Sequence, residues 1–134
     1  MSTNLAASPQ AYRESAVLTA TPERLVVMLY DGVRRFLFQA AVAMRGGDVP
    51  TAHERLRRGE LIVEHLLATL DMSQGEVAER LEAIYVFCQG LLAEGRMQQD
   101  AGKLDKVAEL LGELREAWAQ LADSPQAVLQ AAPA

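Results

Sequence analysis

The chain has 134 residues, half of them hydrophobic but only 5% aromatic, with a net charge of −5. That length supports one domain with a single core, and an acidic balance argues against nucleic acid as the main partner, because phosphate contacts need a basic field. The lone cysteine, Cys88, excludes an intrachain disulfide, and no apolar run approaches the roughly 20 residues that cross a bilayer. The start, MSTNLAASPQ, has neither a basic nor an apolar signal region, so a cytoplasmic protein with no membrane insertion is expected. The charge is uneven. Residues 19–58 hold seven Arg against four acidic residues, whereas 59–123 hold five basic against thirteen acidic. Such polarity can orient a partner, although a solvated mixed surface explains it equally.

In chain order, residues 1–18 lack helical periodicity and carry Ser, Asn and Pro9; they read as a flexible N-terminal arm. Thr21 is placed to cap a first helix, with Pro22 at its first position and Glu23 next. This helix runs to about Met44 and is ended by Gly46-Gly47-Asp48. A second helix is predicted over 49–70, with Pro50 in its first turn, where a missing N–H costs little. Ser73 and Glu76 have the spacing of a capping box for a third helix over 74–98. Its apolar face reads Val77, Leu81, Ile84, Cys88 and Leu91. Asp100 caps a fourth helix reaching about Leu121, whose seam of Leu104, Val107, Leu111, Leu114, Trp118 and Leu121 alternates steps of three and four. Residues 122–134 read as a frayed tail. Four amphipathic helices with short connections imply an all-α domain over 19–121, an antiparallel up-down four-helix bundle.

Catalytic chemistry is not visible in this pattern. The seam positions are aliphatic, and an enzyme needs titratable groups gathered away from water. His53 and His65 lie twelve residues apart, about 120° around one helix, and neither has a Glu three residues before it as bundle di-metal sites require. No metal and no cofactor are expected. Cys88 falls on a core face, where a structural thiol is expected.

The unusual feature is surplus apolar surface. Residues 25–30, LVVMLY, form an unbroken apolar run, whereas a surface helix needs only one stripe. A helical wheel puts Leu25, Leu29, Val33, Phe36 and Ala40 inward, with Val26, Tyr30, Leu37 and Met44 flanking. Val27, Phe38 and Val42 then fall among Asp31, Arg34 and Arg35, on the wet side. Leu61, Val86 and Leu110 also leave their helices' main stripes. For Val26, Tyr30 and Leu37, partner contact and wider burial of a central helix explain the pattern equally. Phe38 points to partner contact. Five glycines, Gly32, Gly59, Gly90, Gly95 and Gly112, sit inside predicted helices, each costing roughly 1 kcal/mol relative to Ala. Close helix approach, a groove for a partner segment, and deliberate softness all account for them.

The stretch AYRESAVLTATPERLVVMLYDG (11–32) resembles the signature of the FliS family of flagellar export chaperones, with its cap at Thr19-Ala20-Thr21-Pro22 and its core Met28-Leu29-Tyr30-Asp31-Gly32. Two further segments match in order: LDMSQGEVAERLEAIYVF (70–87) and LGELREAW (111–118). The chain departs from the family pattern at Phe87, Gln89, Gly90, Leu91 and Gly95. The resemblance implies a helical bundle that binds the C-terminal segment of flagellin in the cytoplasm, prevents early polymerisation and aids delivery to the export apparatus. It also implies an N-terminal arm, matched by Tyr12 and Ala16, that covers the binding surface until the client displaces it. Partner contact is therefore assigned to Tyr12, Ala16, Val26 and Tyr30, which rest partly on the motif. Leu37, Phe38, Val86, Phe87 and Leu110 are assigned on surplus apolar placement. Leu25, Leu29, Leu104, Leu111, Leu114 and Trp118 are assigned to the core. The alternative is a self-associating bundle that binds a flagellar regulatory protein through the same surface. An export-apparatus component as second partner, and a homodimer, both stay open.

Overall fold

A computed structural model describes residues 9–124, with side chains throughout except at 15–18. Among these residues every regular element is helical: α1 (Pro9–Thr19), α2 (Pro22–Arg45), α3 (Val49–Ala68), a single 3-10 turn (Met72–Gln74), α4 (Glu76–Gln98) and α5 (Ala101–Ala122). α1 replaces the irregular arm expected from the sequence over its span. Pro9 stands at its first position, and Ala11 and Ala16 favour helix. With no apolar stripe, that propensity left no periodic signal. Of the expected arm, residues 1–8 lie outside the described residues, as do residues 125–134 of the expected tail.

Local chemistry sets the helix ends. Thr21 Oγ1 accepts the Arg24 N–H at 3.1 Å, and Pro22 and Glu23 follow in the first turn. Gly47 takes φ +78° to reverse the chain after α2, and the Asp48 carboxylate then accepts the Thr51 N–H at 3.2 Å. The expected capping box at Ser73 does not form. Asp71 instead captures both the backbone N–H of Ser73 at 3.0 Å and its hydroxyl at 2.5 Å. This closes the 3-10 turn and leaves Gly75, at φ +71°, to open α4. Asp100 caps α5 through the Gly102 N–H at 3.0 Å.

The four long helices close into a ring. α2 packs on α3 and α5, and α4 packs on the same two. Residue pairings give the chain directions. Along α2 and α5, Asp31 bonds Arg115 and Arg45 bonds Asp105. Along α3 and α4, Glu60 meets Arg96 at 2.5 Å and His53 meets Gln99 at 2.8 Å. Close approach is built in with glycine. A Cβ on Gly59 would lie 3.3 Å from Leu37, and one on Gly95 only 2.6 Å from Leu104. The core they enclose includes Tyr30, Val33, Leu37, Leu56, Val63, Tyr85, Cys88, Leu92, Leu104 and Leu111, all essentially inaccessible. Each large apolar side chain there contributes roughly 1.5–3 kcal/mol by leaving water.

The inward face of α2 is Val27, Tyr30, Val33, Leu37, Ala40, Ala41 and Met44. It is turned by about 80° from the stripe read off the wheel. Tyr30 and Leu37, assigned to partner contact, are therefore core residues, 0% and 1% exposed. Val27, expected on the wet side, is also buried, while Leu25, Leu29 and Phe36 are half-buried. An unbroken apolar run holds two overlapping stripes, and the neighbouring helices choose between them. The buried face of α4 is likewise Ala78, Leu81, Tyr85, Cys88, Leu92 and Gly95, which leaves Val77 exposed. Leu121, read as the last seam position of α5, is exposed too.

Candidate functional site

At one end of the ring lies a groove of about 550 Å³. The start of α2 supplies Pro22, Glu23 and Val26, and the end of α3 supplies Leu66, Thr69 and Leu70. Asp71 and Gln74 come from the 3-10 turn, Val77, Ala78, Leu81 and Tyr85 from α4, and Trp118 from α5. Its walls are aliphatic and aromatic, and its polar groups sit at the rim, where Glu23 and Asp71 are acidic. This combination suits an amphipathic helical segment carrying apolar anchors, with basic side chains favoured at the rim.

A hydrogen-bonded tyrosine pair supports the floor, with Tyr85 in the lining and Tyr30 fully buried behind it. The Tyr30 and Tyr85 hydroxyls lie 2.5 Å apart, with the rings edge-on at 6.4 Å between centroids. Each hydroxyl thus has a partner although both side chains are out of water, which keeps the floor rigid at little desolvation cost. Burial raises both tyrosines above their ordinary pKa. Burial also pushes the Cys88 thiol up to about 11, so the thiolate that nucleophilic chemistry requires is scarce at neutral pH. At the rim, Ser73 and Gln74 donate to Asp71 and hold its carboxyl below the usual range. An Arg24–Asp123 ion pair joins the start of α2 to the end of α5 and so ties two elements of the groove together.

The sequence-assigned residues do not form one site. Val26 lines the groove. Tyr12, exposed on α1, belongs to a helix ending at Thr19, just before groove residue Pro22. Ala16 lies in α1, but its side chain is outside the described set. Phe38 is exposed on α2, together with Val42, and Val86 and Phe87 are exposed on α4; none of these lines the groove. Leu110 is half-buried against the core. Sequence reasoning missed Trp118 as a site residue by assigning it to the core. It is half-buried and presents a face to the groove. Its signal was position: a large aromatic at the end of a seam, where a bundle opens. Leu70, Gln74 and Val77 were missed because they flank a turn whose geometry no periodicity encodes.

A second hollow, of about 600 Å³, lies where the end of α2 meets the α4–α5 turn, lined by Met44, Arg45, Gln98, Gln99, Asp100, Ala101 and Gly102. Its lining is mostly polar, with Met44 and Ala101 as its apolar members. Among the described residues no group of His, Cys, Asp and Glu is placed to hold a metal ion, and no helix is long and apolar enough to cross a membrane.

The three segments that carry the sequence signature meet at the groove. Pro22, Glu23 and Val26 belong to the first, Leu70 through Tyr85 to the second, and Trp118 to the third. Comparison with known proteins agrees with that signature. The family model described as "Flagellar protein FliS" matches residues 4–125. The chain is 35% identical over 119 residues to the flagellar secretion chaperone FliS of Salmonella typhimurium, covering 87% of each. It is 32% identical over 114 residues to the flagellar secretion chaperone FliS of Bacillus subtilis, covering 85% of each. It is 31% identical over 106 residues to the flagellar secretion chaperone FliSB of Pseudomonas aeruginosa, covering 78% of this chain and 84% of that protein.

Proposed function

The chain belongs to the FliS family of flagellar proteins, a family of chaperones and not of enzymes, and from that premise we propose that it is a cytoplasmic export chaperone whose groove receives the C-terminal segment of flagellin. By masking the apolar face of that segment it prevents premature polymerisation and aids delivery to the flagellar export apparatus. The observation that carries this reading is the convergence of all three signature segments on one apolar groove. We read the ring of α2 to α5 as an antiparallel up-down four-helix bundle, a reading supported by the opposed residue pairings along its helices.

Within this reading Val26, Val77, Leu81 and Trp118 contact the client, and the Tyr30–Tyr85 floor supports them from below. α1 acts as a competitive cover. Tyr12 is exposed, and only Ala20 and Thr21 separate the end of the helix from Pro22 in the groove lining, so a swing about 20–21 can bring it over the groove. Such a cover limits non-specific sticking and gives way to a client that buries more apolar area.

Calorimetric titration with a peptide from the end of the cognate flagellin tests the proposal. Saturable binding with a strongly negative heat-capacity change is expected. Deletion of residues 1–17 raises client affinity if α1 is a cover. Absence of binding by the intact and the shortened chain alike, or binding that Val77→Glu does not weaken, would overturn the assignment of the groove. Capture of a flagellar regulatory protein in the groove in place of flagellin favours the regulator reading.

A further inference from the structure

Two tyrosine hydroxyls carry two protons, and the single bond between Tyr30 and Tyr85, 2.5 Å from oxygen to oxygen, uses one of them. Among the described residues neither hydroxyl meets a carbonyl, carboxylate or amide oxygen that could take the other. The further partner at the pair is the indole N–H of Trp118, on the Tyr30 oxygen, and an indole N–H is a donor only. The network beneath the groove therefore has one more donor than its own oxygens can use.

The order of the bonds decides where the spare proton sits. If Tyr85 donates to Tyr30, the Tyr30 oxygen receives both Tyr85 and Trp118, and the spare proton is shut away unpaired on a side chain that is 0% exposed. If Trp118 donates to Tyr30 and Tyr30 to Tyr85, each oxygen accepts once and all the bonds polarise in one direction. The spare proton then belongs to Tyr85, the member of the pair that lines the groove. The other polar groups of the lining are engaged or peripheral. The Thr69 hydroxyl donates to the His65 carbonyl at 2.8 Å, the Gln74 amide donates to Asp71 at 3.2 Å, and the ionised carboxylates of Glu23 and Asp71 at the rim only accept.

We propose that Tyr85 is a specificity-determining donor: the groove selects an amphipathic helical segment whose apolar face carries one uncharged side-chain oxygen, from Asn, Gln, Ser or Thr, placed to accept the Tyr85 O–H. The inference rests on the reading of the groove as the client site and adds a polar requirement to its apolar one. In a helical occupant the backbone carbonyls are engaged within the helix, so the acceptor has to be a side chain. A carboxylate is disfavoured by the desolvation that the floor imposes and by the acidic rim. A wholly apolar segment would cover the proton and leave it unpaired, so the floor rejects sequences that hydrophobicity alone would admit.

The test is calorimetric titration of the full chain with a peptide from the end of the cognate flagellin, and with versions of it in which each Asn, Gln, Ser and Thr is changed in turn to Ala. One such change is expected to weaken binding to the parent at least tenfold, about 1.4 kcal/mol. The same change weakens binding to Tyr30→Phe by a similar factor, because that variant keeps the Tyr85 proton. On Tyr85→Phe, which has no proton to give, its effect falls below about twofold. A purely structural role for the pair predicts the same response from both variants, since each deletes the same mutual bond. Independently of any variant, the Tyr85 hydroxyl proton resonance of the parent moves downfield as the peptide saturates the groove. A parent chain that binds no peptide overturns the groove reading and this inference together. Saturable binding with no sensitive acceptor, with equal responses in the two tyrosine variants, or with an unmoved Tyr85 resonance overturns the donor role alone.

Discussion

Two glycines on one helix make opposite predictions for the same substitution. In α4, Gly90 is open to solvent and Gly95 is buried, with four residues between them. Replacing Gly90 with Ala adds a methyl group that touches nothing. It gains the helix preference of Ala over Gly, about 0.8–1 kcal/mol, part of it through a less flexible unfolded chain. At Gly95 the same methyl would stand 2.6 Å from Leu104 Cδ1, 3.2 Å from the Asp100 carbonyl oxygen and 3.3 Å from Lys103 Cβ. Leu104 is fully buried, so its side chain can yield only into a filled core. The backbone carbonyl is held by the cap of α5. Overpacking of this kind costs roughly 1–3 kcal/mol, which outweighs the propensity gain. The expected outcome is about 1 kcal/mol of stabilisation for Gly90→Ala and about 1 kcal/mol of loss for Gly95→Ala. At about 4 °C per kcal/mol for a domain of this size, the two melting temperatures separate by roughly 8 °C. Scanning calorimetry or urea unfolding of both variants beside the parent reads the difference. Equal shifts of the two variants, or a Gly95→Ala protein more stable than the parent, would refute the close approach of α4 to α5.

The remaining predictions concern the groove, the tyrosine floor and a helix cap. Val77→Glu, at a 64% exposed position, is expected to weaken flagellin-peptide binding at least tenfold, about 1.4 kcal/mol, with unaltered melting; calorimetry with the peptide reads both. Tyr30 and Tyr85 hold their protons more tightly folded than at the ordinary value of 10.0, and Cys88 holds its proton up to about 11 against 9.0. Their contribution to stability is thus complete below about pH 9 and declines as pH rises past those ordinary values, since the unfolded chain then releases protons that the folded chain retains. Urea midpoints between pH 8 and 11 should show that fall, and the Tyr30→Phe, Tyr85→Phe double variant should flatten it. Asp48→Ala removes the acceptor for Thr51 N–H and should cost about 1 kcal/mol by chemical unfolding.

The sequence by itself determined the all-helical class, most helix ends and the family. Each of these is written in short-range chemistry. Thr21-Pro22, Asp48 and Asp100 cap helices through hydrogen bonds to residues two or three positions on, and the seam of α5 repeats within a single helix. Where two short-range preferences competed, the sequence left the choice open. The run from Leu25 to Tyr30 could turn either of two stripes inward, and the helices beside α2 selected the one containing Tyr30 and Leu37. Ser73 could cap α4, but the carboxylate of Asp71 reached its backbone first. α1 has helical propensity without an apolar face, and so gave no periodic signal to read.

Tertiary structure alone decided the groove. Its walls come from five structural elements, and Trp118, Val26 and Val77 share a surface only because four helices end at one level. No periodicity within a helix specifies that level. It follows from how far each helix slides along its neighbours, which buried contacts such as Gly59 on Leu37 and Gly95 on Leu104 settle jointly.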